Sequence, residues 1–322
     1  MAQWLRFQHQ GKSGLGQVQG DQIAVYTGDL FNNPQATGET LKLSDVTIDI
    51  PCTPSKMVAM VDNFHALVTK LEHAVPVEPL YFLKGNNSFL AANQVIRTPK
   101  SYSGKVVYEG ELGIVIGKAC HEVDEAQAAN AIFGYTCIND VTAIEILNRD
   151  PGYAQWTRSK SFNTFGVFGP YITTDVDPSK LTIKTILNDQ ERQNYPIADM
   201  IFPPAKLVSL ISQDVPLQAG DIIAIAVMAQ DRDGIGGPVV GPVGPVGVGG
   251  VVGPVGVDPV ARAAVDTVAV DDAIHYAIPY GYPLGPAFPG ELPCFTPSGE
   301  AYYTPGAEPC LCFAPTGAVV PC

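Results

Sequence analysis

Between Gly234 and Val257 the chain uses only glycine, proline, valine and isoleucine. Proline removes a backbone donor and fixes φ, and glycine carries the largest backbone entropy cost, so neither sustains a helix or a central strand. The stretch is uncharged and long enough to cross a bilayer. Its prolines and glycines nevertheless break a helix, and it lacks bulky lipid-facing side chains. Glycine does not recur at every third position, which excludes a collagen triple helix. The segment reads as low-complexity coil, and any packed domain is expected ahead of it.

Composition divides the chain at the same place. Residues 227–322 contain no lysine and two arginines, yet hold 16 of the 32 glycines and 15 of the 28 prolines. Residues 1–226 carry 17 of the 19 Lys+Arg, as ordinary globular sequence does. The net charge is −13 with no basic cluster, which argues against nucleic acid and anionic membrane surfaces as partners. Met1 to Gln10 is polar and lacks the apolar core of a signal peptide, so a cytoplasmic protein is expected. The seven cysteines include Cys294, Cys310, Cys312 and Cys322 in the tail. They form no C-x-x-C pair, so neither a disulfide framework nor a zinc site is indicated.

The first 226 residues read as many strands with few, short helices. Gly20-Asp21 between alternating runs marks a hairpin turn. Gly11-Lys12-Ser13 is no phosphate loop, because Arg6 stands where that motif needs its first glycine. Val106 to Gly117, Ala131 to Asn139, Phe168 to Thr173, Leu181 to Leu187 and Asp221 to Ile225 are expected strands. Glu125 to Asn130, Thr142 to Asn148 and Pro204 to Ser212 are expected helices. The fold class is α+β or mainly β.

Glu109 and Glu111 fall at i and i+2 of an expected strand, so their carboxylates share a face. Two like charges on an apolar strand are costly unless solvated or shared by a cation. Asp140, at the end of the next expected strand, supplies a third carboxylate. Three oxygen ligands without His or Cys suit Mg²⁺, Mn²⁺ or Ca²⁺. A solvated strand face satisfies the same pattern, and E-x-E alone does not choose.

Tyr108-Glu-Gly-Glu-Leu-Gly-Ile-Val-Ile-Gly-Lys118, followed by Phe133-Gly-Tyr-Thr-Cys-Ile-Asn-Asp-Val-Thr-Ala143, resembles the fumarylacetoacetate hydrolase family. The match continues through Glu78-Pro-Leu-Tyr-Phe-Leu-Lys84, Lys160-Ser-Phe-Asn-Thr164, Leu187-Asn-Asp-Gln-Glu-Arg-Gln193, Asp199-Met-Ile-Phe202 and Leu217-Gln-Ala-Gly-Asp-Ile-Ile223. The resemblance implies a mixed β-sandwich roll around a divalent metal, usually in a homodimer. It implies small N-terminal strands over 1–50, a catalytic domain over 51–226 and a tail, 227–322, outside the family pattern. The metal ligands it carries over are Glu109, Glu111 and Asp140. Lys160 matches the family's active-site lysine and Thr164 a residue that helps hold the substrate.

The implied substrates are 2-oxo acids from aromatic-ring breakdown. Cleavage of an acylpyruvate C–C bond leaves a pyruvate enolate, and a metal with a neighbouring lysine favours that charge. Isomerases and decarboxylases of carboxymethyl-hydroxymuconate type pass through a similar intermediate, so the motifs permit those outcomes too. The first expectation is a metal-dependent C–C hydrolase.

Departures from the family pattern bear on that expectation. The usual His and Glu of its N-Y-x-x-H motif are Leu67 and Lys70 here, while His65 follows Asn63-Phe64 directly. His65 reads either as the base from a shifted loop or as a partly buried loop histidine, and Asp62 as a weak fourth-ligand candidate. Where relatives have Arg and Gln after Asp140-Val-Thr-Ala143, this chain has Ile144 and Leu147; Lys84 or Arg158 is the candidate to meet a substrate carboxylate instead, a surface or structural role being the more ordinary reading of both. The Thr-Gly-Thr segment and closing strands of the family are replaced by the Gly/Pro/Val tail, as in a frame-shifted or chimaeric sequence. An inactive scaffold is the alternative from another class.

Overall fold

A computed structural model describes residues 1–150, 152–187 and 190–226, together with the backbone of four short strands in the tail. The low-complexity coil and the replaced closing segment lie outside the described residues. Contacts divide the chain into one unit over Met1–Val270 and another over Asp271–Cys322. In the second, Cys294–Phe295 pairs with Ala301–Tyr302 and Leu311–Phe313 with Val319–Pro321.

The N-terminal strands are β1 (Ala2–His9), β2 (Lys12–Gln19), β3 (Gln22–Asp29), β4 (Asn32–Lys42) and β5 (Thr47–Ile48). Next come β6 (Met57–Val61), β7 (Leu80–Lys84), β8 (Phe89–Ala91), β9 (Val106–Val107), β10 (Gly110–Ile116), β11 (Ile132–Asp140) and β12 (Thr142–Ala143). The last are β13 (Gly166–Phe168), β14 (Ile172–Thr174), β15 (Thr182–Leu187), β16 (Gln190–Pro196) and β17 (Ile222–Ala226). The helices are α1 (His65–Lys70), α2 (Glu125–Ala131), α3 (Ile144–Leu147), α4 (Trp156–Lys160) and α5 (Pro204–Asp214). The molecule is therefore mainly β, as the sequence implies.

One large mixed sheet runs β4-β3-β2-β1-β14-β11-β10-β17-β6-β7. The N-terminal hairpins continue it through an antiparallel pairing that sets Ala2 opposite Thr174. The expected turn at Gly20-Asp21 joins β2 to β3, with Gly20 at φ +65°. β17 and β6 are parallel, with Ile222 opposite Met57, as are β13 and β8. Among the described residues no helix is long and apolar enough to cross a membrane.

β10 is buried along its whole length. Leu112, Ile114 and Ile116 join a core with Leu207, Val208 and Ile211 of α5 and Ala128 of α2. Val115, on the opposite face, packs with Met57, Ala59, Ile222 and Ala224. Apolar residues on both faces explain why β10 reads as a near-continuous hydrophobic run. The expected strand from Val106 is interrupted at Tyr108-Glu109. There the Glu109 N–H donates to the Asn139 side chain at 3.2 Å, and its carbonyl accepts from Asp140 N at 2.8 Å.

α2 starts with a reciprocal capping box, Asp124 accepting from Gln127 N at 2.7 Å and Gln127 from Asp124 N at 3.0 Å. That closes two of the open donors at the helix start. The expected helix over Thr142 to Asn148 is shorter, because Thr142 and Ala143 pair with β9 before α3 begins.

Candidate functional site

Glu109 and Glu111 meet Asp140 where β10 and β11 pair, Gly110 lying opposite Asn139. One carboxylate oxygen from each of Glu109, Glu111 and Asp140 lies within 4.8 Å of the others, and all three residues are buried. Gly110, between the glutamates, carries the β15–β16 hairpin against its backbone. A Cβ there would come within 2.0 Å of the Thr185 hydroxyl oxygen, and its N–H donates to Gln193 Oε1 at 3.0 Å. The close approach of the hairpin requires glycine at that position.

Lys160, the last residue of α4, bridges two of the acids. Its Nζ donates to Glu109 Oε1 at 2.8 Å and to Asp140 Oδ2 at 2.6 Å. Thr142 also donates to Glu109 Oε1, at 2.8 Å. Lys84, wholly enclosed at the end of β7, donates to Asp140 Oδ1 and to the carbonyl of Lys160. Neither oxygen of Glu111 has a hydrogen-bond partner, although the residue is 0% exposed.

Three carboxylates against two ammoniums leave one uncompensated negative charge, which is expensive in a buried site. Burial, with the charges of Asp140 and Glu109, pushes the Glu111 carboxyl well above the usual range. Burial raises Glu109 as well, against the pull of Lys160. For Asp140, burial acts upward, but Lys160 and Lys84 outweigh it and hold the carboxyl below the ordinary value. Lys160 is raised, the three carboxylates overcoming burial. Lys84 is lowered by burial and the neighbouring Lys160, despite Asp140.

The site's residues fit a hard divalent cation. It would reverse the net charge of the cluster and give the unpaired Glu111 carboxylate a partner, and the all-oxygen donor set suits such an ion. Glu109, Glu111 and Asp140 would hold it.

The structure thus gathers Glu109, Glu111, Asp140, Lys160 and Lys84. His65 does not join their hydrogen-bonded network. It opens α1 as an exposed side chain, not the partly buried loop histidine considered from sequence. Leu67 is in the apolar core and Lys70 is exposed. Asp62, the fourth-ligand candidate, contacts His73 Nδ1 at 2.8 Å through Oδ2. Thr164 is buried with φ +74°, its hydroxyl accepting from Arg97 N at 2.8 Å.

Leu147 is buried, and Glu145 accepts from Lys105 N at 3.0 Å, so α3 supplies structural contacts. Sequence reasoning missed Thr142 and Asn139 as buttresses of Glu109. The available signal for Thr142 was its place two residues beyond Asp140 within one motif.

The Fumarylacetoacetate (FAA) hydrolase C-terminal family model matches residues 56–230, and the Rv2993c-like N-terminal model matches residues 2–51. An uncharacterised protein from Archaeoglobus fulgidus is 41% identical over 192 residues, covering 60% of this chain and 75% of that protein. The oxaloacetate tautomerase YisK of Bacillus subtilis is 31% identical, covering 64% of this chain and 72% of its own length. The crystal structure of 2-hydroxyhepta-2,4-diene-1,7-dioate isomerase from Mycobacterium marinum superposes with a TM-score of 0.64 at 33% identity, covering 71% of this chain and 88% of that one.

Proposed function

The chain belongs to the fumarylacetoacetate hydrolase family, and on that footing we propose that it is a divalent-metal-dependent enzyme converting a 2-oxo acid through its enolate. The observation that carries the reading is Glu111, buried beside two other carboxylates with neither oxygen paired. A bound divalent ion would supply Lewis acidity toward the 2-oxo carboxylate. Mg²⁺, Mn²⁺ and Ca²⁺ all suit the donor set. Lys160 is the catalytic lysine, adding positive charge where the enolate oxygen develops. Lys84 orients Asp140 and fixes the Lys160 backbone, a positioning role in place of the substrate contact expected from sequence. Thr164 holds the substrate beside Lys160.

Isomerisation or tautomerisation is the outcome favoured. Hydrolysis of an acylpyruvate C–C bond, the second reading, needs a base for water. Among the described residues no imidazole is hydrogen-bonded to the carboxylate cluster, and His65 would have to reach it from α1. The homodimer belongs to the same proposal. The exposed Leu80 and Leu83 on the edge strand β7 are its candidate contacts.

The test is proton exchange at C3 of pyruvate and oxaloacetate in D₂O, followed by NMR with Mg²⁺ or Mn²⁺. Exchange that needs the metal and disappears in Glu111→Gln is expected. Metal-loaded wild type without exchange would refute the reading. Release of two acids from an acylpyruvate would choose hydrolysis over isomerisation.

A further inference from the structure

The N–H groups of Glu109 and Gly110, within the carboxylate centre, are both met by side-chain amide oxygens. Glu109 N donates to Asn139 Oδ1 at 3.2 Å and Gly110 N to Gln193 Oε1 at 3.0 Å. Gln193 Oε1 also accepts from the Thr185 hydroxyl, so both lone pairs of that oxygen are engaged. Thr185 and Gln193 stand opposite each other in the β15–β16 hairpin, and the register shifts immediately after Thr185. Bulges of this kind re-aim side chains. Both residues are enclosed, Thr185 at 0% and Gln193 at 1% exposure.

The hairpin is itself anchored. Ile183 and Tyr195, the next opposed pair on its buried face, join Leu112 and Ile114 of β10 in one core. It is thus fixed by apolar packing at one end and closes on the backbone between Glu109 and Glu111 at the other. We propose that this hairpin is the positioning element that sets which divalent ion the centre prefers. Gln193, oriented by Thr185, fixes the Gly110 backbone and with it the spacing at which the Glu109 and Glu111 carboxylates can meet an ion. This rests on the proposed metal reading of the centre. Mg²⁺ demands near-ideal geometry at about 2.0–2.1 Å, whereas Ca²⁺ accepts irregular coordination at about 2.3–2.6 Å. A ligand pair on a fixed backbone discriminates on that difference, and a loosened pair does not.

The experiment titrates the full-length chain with Mg²⁺, Mn²⁺ and Ca²⁺ separately by calorimetry, alongside the EPR spectrum of bound Mn²⁺. Gln193→Met keeps the side-chain length and removes the acceptor. Thr185→Val replaces the hydroxyl with a methyl, and Thr185→Ser returns it. In Gln193→Met the ratio of Mg²⁺ to Ca²⁺ affinity is expected to fall about tenfold to a hundredfold, the scale of contacts that orient metal ligands, with a changed Mn²⁺ spectrum. Thr185→Val should move both readouts the same way by less, and Thr185→Ser should restore them. A hairpin with a purely structural role would lower the metal-free melt of the variants and leave the ratio and the spectrum alone. That result in Gln193→Met, or in Thr185→Val should Gln193→Met not melt cooperatively, overturns the assignment while the centre stands. If wild type binds none of the three ions, or Glu111→Gln binds them as wild type does, the reading of the centre fails and this inference falls with it.

Discussion

Asn63 and Phe202, 139 residues apart in sequence, are joined by a reciprocal pair of hydrogen bonds. Asn63 Oδ1 accepts from Phe202 N at 2.9 Å, and Asn63 Nδ2 donates to the Phe202 carbonyl at 3.2 Å. The Asn63 carbonyl adds a third bond, accepting from Ile201 N at 3.0 Å. The asparagine at the exit of β6 thereby reads the backbone of the Asp199-Met-Ile-Phe202 segment. Asp199 in turn accepts from Ala66 N at 2.9 Å, holding the start of α1.

Truncating that side chain should cost stability without touching the carboxylate centre. Asn63→Ala leaves a buried N–H and a buried carbonyl without their partner, so a loss of about 2–4 kcal/mol is expected. Chemical denaturation would register it as a lower midpoint with an unchanged slope. A variant within about 0.5 kcal/mol of wild type would mean the segment rearranges to satisfy itself.

Glu111 governs the response to metal. Excess Mg²⁺ or Mn²⁺ at about 100 times Kd should add roughly 2.7 kcal/mol to wild type by mass action. Glu111→Gln removes a ligand and the uncompensated charge together, so its metal-free melt should hold or rise while the metal-dependent gain vanishes. Thermal unfolding with and without the ion, in both proteins, measures the two effects separately. A metal-dependent gain that persists in Glu111→Gln would place the ion elsewhere.

The pH dependence of the metal-free protein follows from the same residue. The folded-state carboxyl of Glu111 is raised well above its ordinary value, so its neutral form suits the buried site. The stability it allows is fully present below the ordinary carboxylate value and is lost as pH rises through the raised one. Metal binding needs the ionised form and should strengthen over the same interval. Melts across that window, with and without Mn²⁺, should therefore diverge as pH rises. In Glu111→Gln that part of the divergence should disappear.

Asp221 has the opposite sign. Oδ1 accepts from Ser55 N at 2.8 Å, Ser55 Oγ at 2.7 Å and Lys56 N at 3.1 Å. Oδ2 accepts from Lys56 Nζ at 2.6 Å and Gln218 N at 2.8 Å. Burial alone would raise this carboxyl, yet the Lys56 and Ser55 contacts and the backbone N–H groups hold it below the usual value. Its stabilisation is present above the unfolded-state value and is lost as pH falls through the lowered folded value. Asp221→Asn should cost about 2–3 kcal/mol near neutrality. The gap from wild type should close at strongly acid pH.

These residues also mark what the sequence makes legible. The grouping of the acids Glu109, Glu111 and Asp140 can be anticipated because period-two geometry puts i and i+2 on one face and Asp140 ends the next strand, which returns antiparallel beside β10 after α2. The buttressing role of Lys84 cannot, since it depends on a contact with Asp140 across 56 positions. Asp221 and Asn63 are likewise silent, their partners lying 165 and 139 residues away. The break at Tyr108-Glu109 was hidden because β-branched neighbours favour a continuous strand, whereas the Asn139 side chain intercepts the Glu109 N–H.

Thr164 offers a test in which backbone conformation, not side-chain contact, decides the sign. A β-branched residue at φ +74° is strained, and such strain typically costs about 1–3 kcal/mol. Replacing it with alanine or glycine removes the same hydroxyl, which accepts from Arg97 N. Alanine keeps a Cβ in the left-handed region, whereas glycine enters that region freely. Glycine also raises the entropy of the unfolded chain, which offsets part of the relief. Thr164→Gly should therefore unfold with about 1 kcal/mol more stability than Thr164→Ala, measured by denaturant titration of both. The reverse order would show that the left-handed conformation relaxes once the hydroxyl no longer holds Arg97.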